Sequence, residues 1–163
     1  MHTFNSKLKS KIKKQKNCLC VGLDISPETL GTTHLDELKA HTYRVIDATR
    51  DFALAYKPNF AFFERWGFEG FKWLEETVDY IGPDYIKIAD AKRGDIDNTA
   101  RQYAKSIFEY FKFDAVTLNP YMGKDSIEPF TEFKEKGVFV LCRTSNVSAS
   151  SIQGSAVDEN SII

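Results

Sequence analysis

At 163 residues the chain has the size of one ordinary domain, and its 42% apolar, 28% charged and 13% aromatic residues suit a packed core and argue against a disordered segment. A formal charge of −1 gives no general attraction for nucleic acid or for a membrane surface. Cys18, Cys20 and Cys142 are odd in number and lack a C-x-x-C pair, and His2, His34 and His41 form no ligand pattern, so neither a disulfide framework nor a metal site is expected.

The first element is KLKSKIKKQK, Lys7 to Lys16, where six lysines flank an apolar repeat of Phe4, Leu8 and Ile12. A four-residue recurrence predicts an amphipathic helix with a solvated basic face, in preference to a nucleic-acid-binding arm. No apolar h-region follows the lysines and no run approaches the ~18 apolar residues of a membrane span, so a cytoplasmic protein is expected. Strands are predicted at Cys18–Leu23, Ala53–Lys57, Tyr85–Asp90, Ala115–Leu118 and Val138–Cys142. Cys18 and Cys20 share a strand face and are expected to be buried by packing. Helices are predicted near Leu35–Asp51, Glu69–Tyr80, Asn98–Phe111 and Ser126–Lys136. The third carries the stripe Ala100, Tyr103, Ala104, Ile107, Phe108, Phe111, with Asp97 or Asn98 as its cap. IGPD, Ile81 to Asp84, and Gly137 mark turns. Residues 1–146 read as part of one domain, and the Ser/Asn-rich stretch 147–163 reads as a polar loop or mobile tail.

Strands alternating with helices predict an α/β fold with a parallel sheet, either a small doubly wound sheet or the first five βα units of a (β/α)8 TIM barrel, for which ~250 residues is typical. The stretch IKIADAKRGDI, Ile86 to Ile96, favours the barrel. At period two, Ile86, Ile88, Asp90 and Lys92 share a face, with the apolar pair first and the ionisable pair at the carboxyl end, as in a barrel interior. Gly22-Leu23-Asp24, Tyr56-Lys57-Pro58-Asn59 and Leu118-Asn119-Pro120 end other strands in polar groups, which converge on one rim. Lys87 falls on the opposite face and is expected to snorkel.

Lys57, Asp90, Lys92 and Asp95 alternate in sign, so each can keep its neighbours ionised in a half-buried place. Such an array is either a salt-bridged strand end or a site. As a site it suits loss of an anionic group: a fixed carboxylate ~4 Å from a substrate carboxylate is repelled by ~4 kcal/mol at an effective dielectric of 20, and the repulsion ends when CO2 leaves. That is worth about a thousandfold in rate. The adjacent ammonium can stabilise the developing carbanion and then protonate it.

DAKRGDI, together with VGLD (Val21 to Asp24), KPNFAFFE (Lys57 to Glu64), TLNPYMG (Thr117 to Gly123) and VLCRTSN (Val140 to Asn146), resembles the orotidine 5′-phosphate decarboxylase family in motif and in order, from about Phe4 to Asn146. The resemblance implies conversion of orotidine 5′-phosphate to uridine 5′-phosphate. It implies Lys92 as donor of the proton to C6, Asp90 as the carboxylate beside the departing CO2, and Lys57 as the lysine that holds the ribose and orders the array. By the same resemblance Asp95 reaches a partner subunit's site, Ile96 and Thr99 line that region, Asp24 binds ribose hydroxyls and Ser145 contacts the pyrimidine. It also implies a homodimer with shared sites, and neither metal nor organic cofactor. Family members continue through three further strands that grip the phosphate, whereas this chain stops at Ile163 and is expected to be an N-terminal part with little turnover of its own; Val147 stands where this branch commonly has proline. Two alternatives are a catalytically silent fragment or binding module, and a magnesium-dependent sugar-phosphate decarboxylase or aldolase of the same superfamily. The latter calls for an acidic ligand where Lys57 stands.

Overall fold

The computed structural model describes residues 3–153. In chain order the elements are α1 (Phe4–Gln15), β1 (Cys20–Leu23), α2 (Pro27–Leu30), α3 (Leu35–Thr49), β2 (Ala55–Pro58), α4 (Phe60–Glu64), α5 (Gly67–Ile81), β3 (Ile86–Arg93) and α6 (Asp97–Lys105). A π-helical turn, Ser106–Tyr110, continues α6, and β4 (Ala115–Leu118), α7 (Glu128–Thr131), β5 (Gly137–Val140) and α8 (Ser150–Gln153) follow.

All five strands are parallel and are neighbours in sequence order, β1-β2-β3-β4-β5. A doubly wound sheet reverses its order at a switch point, so the sequential order is that of the barrel expected from the βα alternation. The register sets Cys20, Ala55 and Ile86 in one row across β1–β3, sets Ala115 opposite Ile88, and makes Gly22 the neighbour of Lys57.

Each face of the sheet has its own core. On the outer face Ala89, Val116 and Leu118 pack with Trp73, Leu74, Ala100, Ala104, Ile107, Phe108 and Phe130 of the helix layer. A second outer cluster joins Leu23 and Tyr56 to Ile46 and Ile81. On the inner face Ile86, Ile88, Ala55 and Ala115 meet Phe4, with Leu8 and Ile12 packed alongside. The lysine-rich segment is therefore an amphipathic helix that closes the amino end of the strands. Lys7 pairs with Asp114 at 2.5 Å and Lys11 donates to Asp84 O. Gly137 opens β5 without a Cβ because the Phe4 ring occupies the place a Cβ would take.

Several expectations are corrected. Cys18 and Cys20, expected to be buried, are exposed, as is Cys142; β1 and β5 are the edges of the described sheet, so these positions at and beside the edges have a neighbouring strand on one side only. The first strand pairs only from Cys20. The helix expected over Ser126–Lys136 is reduced to a 3-10 turn, Lys124–Ser126, and the four residues of α7. Pro129 fits only a first helical turn, and Thr131 turns its hydroxyl back to Glu128 O at 3.0 Å, so the chain kinks to seat Phe130 against Phe108. Neither Asp97 nor Asn98 caps α6: Asp97 sits at φ 46, and Asn98 accepts from Gln102 within the helix. The start of the expected tail is helical, a 3-10 turn at Val147–Ala149 followed by α8. Residues 154–163 of that tail, and His2, lie outside the described residues.

Candidate active site

The carboxyl ends of β1–β4 carry the polar groups. Asp90 is the centre: its side chain is only 10% exposed, and it receives Lys57 Nζ at 2.9 Å on Oδ2 and Lys92 Nζ at 2.5 Å on Oδ1. The Thr117 hydroxyl donates to Oδ1 at 3.1 Å. Burial alone would raise the Asp90 pKa, but the hydrogen bonds from Lys92 and Lys57 and their charges outweigh it and hold the carboxyl below its ordinary range. Burial likewise works against the Lys57 ammonium; the hydrogen bond and charge of Asp90, helped by the charge of Asp24, win and raise its pKa. Below this array lies the open concavity of the sheet, about 390 Å³, lined by Ile86, Ile88, Cys20 and Phe139 among others. Partial burial there pushes the Cys20 thiol up, against the pull of Lys57.

Asp24 and Asn59 stand beside the array. Asn59 Oδ1 accepts from Ala61 N at 3.3 Å and so caps α4, while its Nδ2 donates to Asp24 Oδ2 at 3.1 Å. The start of the short helix thus fixes the carboxylate that ends β1.

Arg93 is the last residue of β3. It points to the outer face, pairs with Glu64, and lies 5.3 Å from the Phe60 ring and 4.9 Å from the Tyr103 ring. Gly94 follows where the backbone passes close to the next strand end, since a Cβ there would lie 2.8 Å from Asn119 O.

Asp95 does not join the ion-pair array, which corrects the expectation of four alternating charges. The chain leaves β3 at Arg93, and the Asp95 carboxylate turns to its neighbour's amide, Ile96 N, at 2.8 Å. Ile96, 45% exposed, and the exposed Thr99 begin α6 on the same rim. Ser145 is exposed in the loop after β5, between Thr144 and Asn146, whose side chains share a hydrogen bond of 2.6 Å. Lys87 is half-buried on the outer face as expected; burial lowers its pKa against the charge of Asp114. Among the described residues no group of three or more His, Cys, Asp or Glu is placed to hold a metal ion, and no helix is long and apolar enough to cross a membrane.

Sequence reasoning missed Thr117, Glu64 and the double role of Asn59. Polar residues beside charged strand ends were the available signal, but their partners lie ~25–35 positions away and become evident only in the register.

The family model described as "Orotidine 5′-phosphate decarboxylase / HUMPS family" matches residues 17–162. The orotidine 5′-phosphate decarboxylase of Christiangramia forsetii is 46% identical over 155 residues, covering 91% of this chain and 57% of that protein. That of Dehalococcoides mccartyi is 44% identical over 152 residues, covering 92% of this chain and 55% of the relative. Among solved structures, Leishmania donovani OMP decarboxylase superposes with a TM-score of 0.87 at 39% identity, covering 96% of this chain and 60% of that one. Leishmania donovani UMP synthase gives a TM-score of 0.88 at 38% identity, covering 98% of this chain and 34% of the other. The chain thus spans little more than half the length of the curated relatives it matches, and by sequence match and shared fold it belongs to the orotidine 5′-phosphate decarboxylase / HUMPS family.

Proposed function

We propose that this chain supplies the decarboxylating half of a barrel that converts orotidine 5′-phosphate to uridine 5′-phosphate. The observation that carries the proposal is the nearly buried Asp90 carboxylate clamped between two ammonium groups, with the Lys92 side chain 52% exposed and so open to a ligand. A substrate carboxylate set beside Asp90 is repelled, and the repulsion disappears as the C6–CO2 bond breaks and the electron pair stays on C6. Lys92 has three N–H donors and gives one to Asp90; another is free to pass to C6, after which solvent restores the proton. Lys57 holds Asp90 from the other side, and Asp24, fixed by Asn59, offers acceptors for ribose hydroxyls.

Lys57 also weighs against the magnesium-dependent reading, because an ammonium stands where that chemistry needs an anionic ligand. Asp95, whose carboxylate among the described residues takes its neighbour's amide alone, is suited to serve a second subunit across the rim, with Ile96 and Thr99 beside it and Ser145 toward the pyrimidine. The reading includes a homodimer with shared sites, working in the cytoplasm without metal or organic cofactor; the free rim position of Asp95 is what supports the sharing. The test is conversion of orotidine 5′-phosphate by the whole protein bearing this sequence, followed by ultraviolet absorbance. Uridine 5′-phosphate and CO2 in equal amounts are expected. A folded whole protein that releases neither would end the proposal.

A further inference from the structure

The ladder between β3 and β4 breaks at the site. Ala89 pairs with Val116 and Arg93 with Leu118, so Asp90, Ala91 and Lys92 all stand opposite Thr117 alone. A regular ladder places one residue there, and the extra two are extruded toward the rim. In a regular strand successive amides point to opposite neighbours, so only Ala91 would face a β4 carbonyl; the extruded turn takes that carbonyl away and aims the Lys92 amide at β4 as well. Both amides donate instead to Thr117 Oγ1, at 3.1 and 2.9 Å, and the hydroxyl proton reaches Asp90 Oδ1 at 3.1 Å. A hydroxyl has one donor and two acceptor positions, so both acceptor positions are taken by the amides, and the proton goes to Asp90 Oδ1 in preference to the more distant Ala89 O at 3.5 Å. Lys92 sits at φ 45, in the left-handed region that a residue with a Cβ adopts only when its surroundings hold it there.

We propose that Thr117 is a positioning residue: its hydroxyl gathers the two orphaned amides of the extruded turn and so holds the Lys92 ammonium on Asp90. No other side chain among the described residues accepts from those two amides. A side chain of the same shape without the oxygen leaves both unpaired, and the turn then relaxes toward a regular strand that carries Lys92 away. The catalytic consequence rests on the proposal that Lys92 delivers the proton; the geometric part stands without it.

The test compares Thr117→Val and Thr117→Ser in the whole protein. Thr117→Val is expected to lower kcat by about a hundredfold with KM changed far less, as for a reacting group displaced by ~1 Å. Amide hydrogen exchange at Ala91 and Lys92 is expected to speed at least tenfold while Val138 and Phe139 keep their wild-type rates. Thr117→Ser restores the hydroxyl and is expected to bring both readouts back to within about threefold of wild type. Unchanged exchange at Ala91 and Lys92 in a folded Thr117→Val variant would overturn the proposal, as would a rise in KM with kcat intact. If Thr117→Val fails to fold, a folded Thr117→Ser variant that loses either kcat or the amide protection overturns it equally. Lys92→Ala separates the two ideas: full activity in that variant removes the proton-donor role but leaves the exchange result to decide on Thr117.

Discussion

Replacing Asp90 by asparagine keeps the shape of the site and removes the anion that, among the described residues, both Lys57 and Lys92 contact. Two ammonium groups held roughly 6 Å apart at an effective dielectric of 20 repel by ~3 kcal/mol, and the amide presents its own N–H donors to one of them. Lys92 is half-exposed and can swing toward water, which screens the repulsion, so the net loss of stability at pH 7 should be about 2 kcal/mol. Urea unfolding of the whole protein measures it as a lowered midpoint with an unchanged slope. The sign with pH follows from the direction of each shift. The Asp90 pKa is depressed in the folded state, so its contribution is complete above the usual carboxylate range near ~3.9 and is lost as pH falls through the folded value. Wild type and Asp90→Asn should therefore converge in acid. The Lys57 pKa is raised, so its contribution is present at neutral pH and lost as pH rises through its folded value, above 10.5. In Asp90→Asn the burial of Lys57 remains without its main counter-ion, and its ammonium should titrate below 10.5 by NMR. A Lys57 that still titrated above 10.5 in the variant, or a stability gap that did not narrow at all as the pH fell below the ordinary carboxylate range, would refute the electrostatic account.

Phe4→Ala should cost ~3–4 kcal/mol, read as a lowered urea midpoint, because the buried ring fills the amino end of the strands against Ile86, Ile88 and Gly137. Gly94→Ala forces a Cβ against Asn119 O and should cut turnover at least tenfold by displacing Asp95, with loss of stability within ~1–3 kcal/mol by thermal unfolding. Mixing inactive Lys92→Ala and Asp95→Ala variants of the whole protein should restore about a quarter of wild-type activity if each site takes its Asp95 from a partner, since half the dimers then contain one intact site. No recovery on mixing would contradict sharing. A chelator should leave turnover unchanged, measured before and after dialysis against it.

The strand order and the face that Asp90 and Lys92 occupy were legible in the sequence, for a definite reason. Alternating βα units leave few topologies, and an apolar pair followed by charges along one strand face has a natural home only at a barrel rim. The route was not legible. Period two makes Asp90 and Lys92 neighbours on a flat strand, whereas β3 extrudes two residues and turns Lys92 left-handed with no glycine to announce it. The bulge depends on Thr117, a partner that only the β3–β4 register reveals. Asp95 reads as a fourth member of the array by spacing, but the chain has already left the strand at Arg93. The short helices escaped for another reason: α4 and α7 span barely one turn, too few residues for a period to register, and they are held by Asn59 and by the seating of Phe130. The cysteines were misjudged because burial belongs to neighbours across the sheet, and β1 and β5 are edges among the described residues.

At the centre stands the claim that Lys92, held on Asp90 opposite Lys57, hands the proton to the carbon that CO2 has left. The most direct measurement is kcat of the whole protein against its Lys92→Ala variant at saturating orotidine 5′-phosphate. A fall of at least about a thousandfold, with substrate still bound, is the expected result. Equal turnover in the two proteins would contradict it.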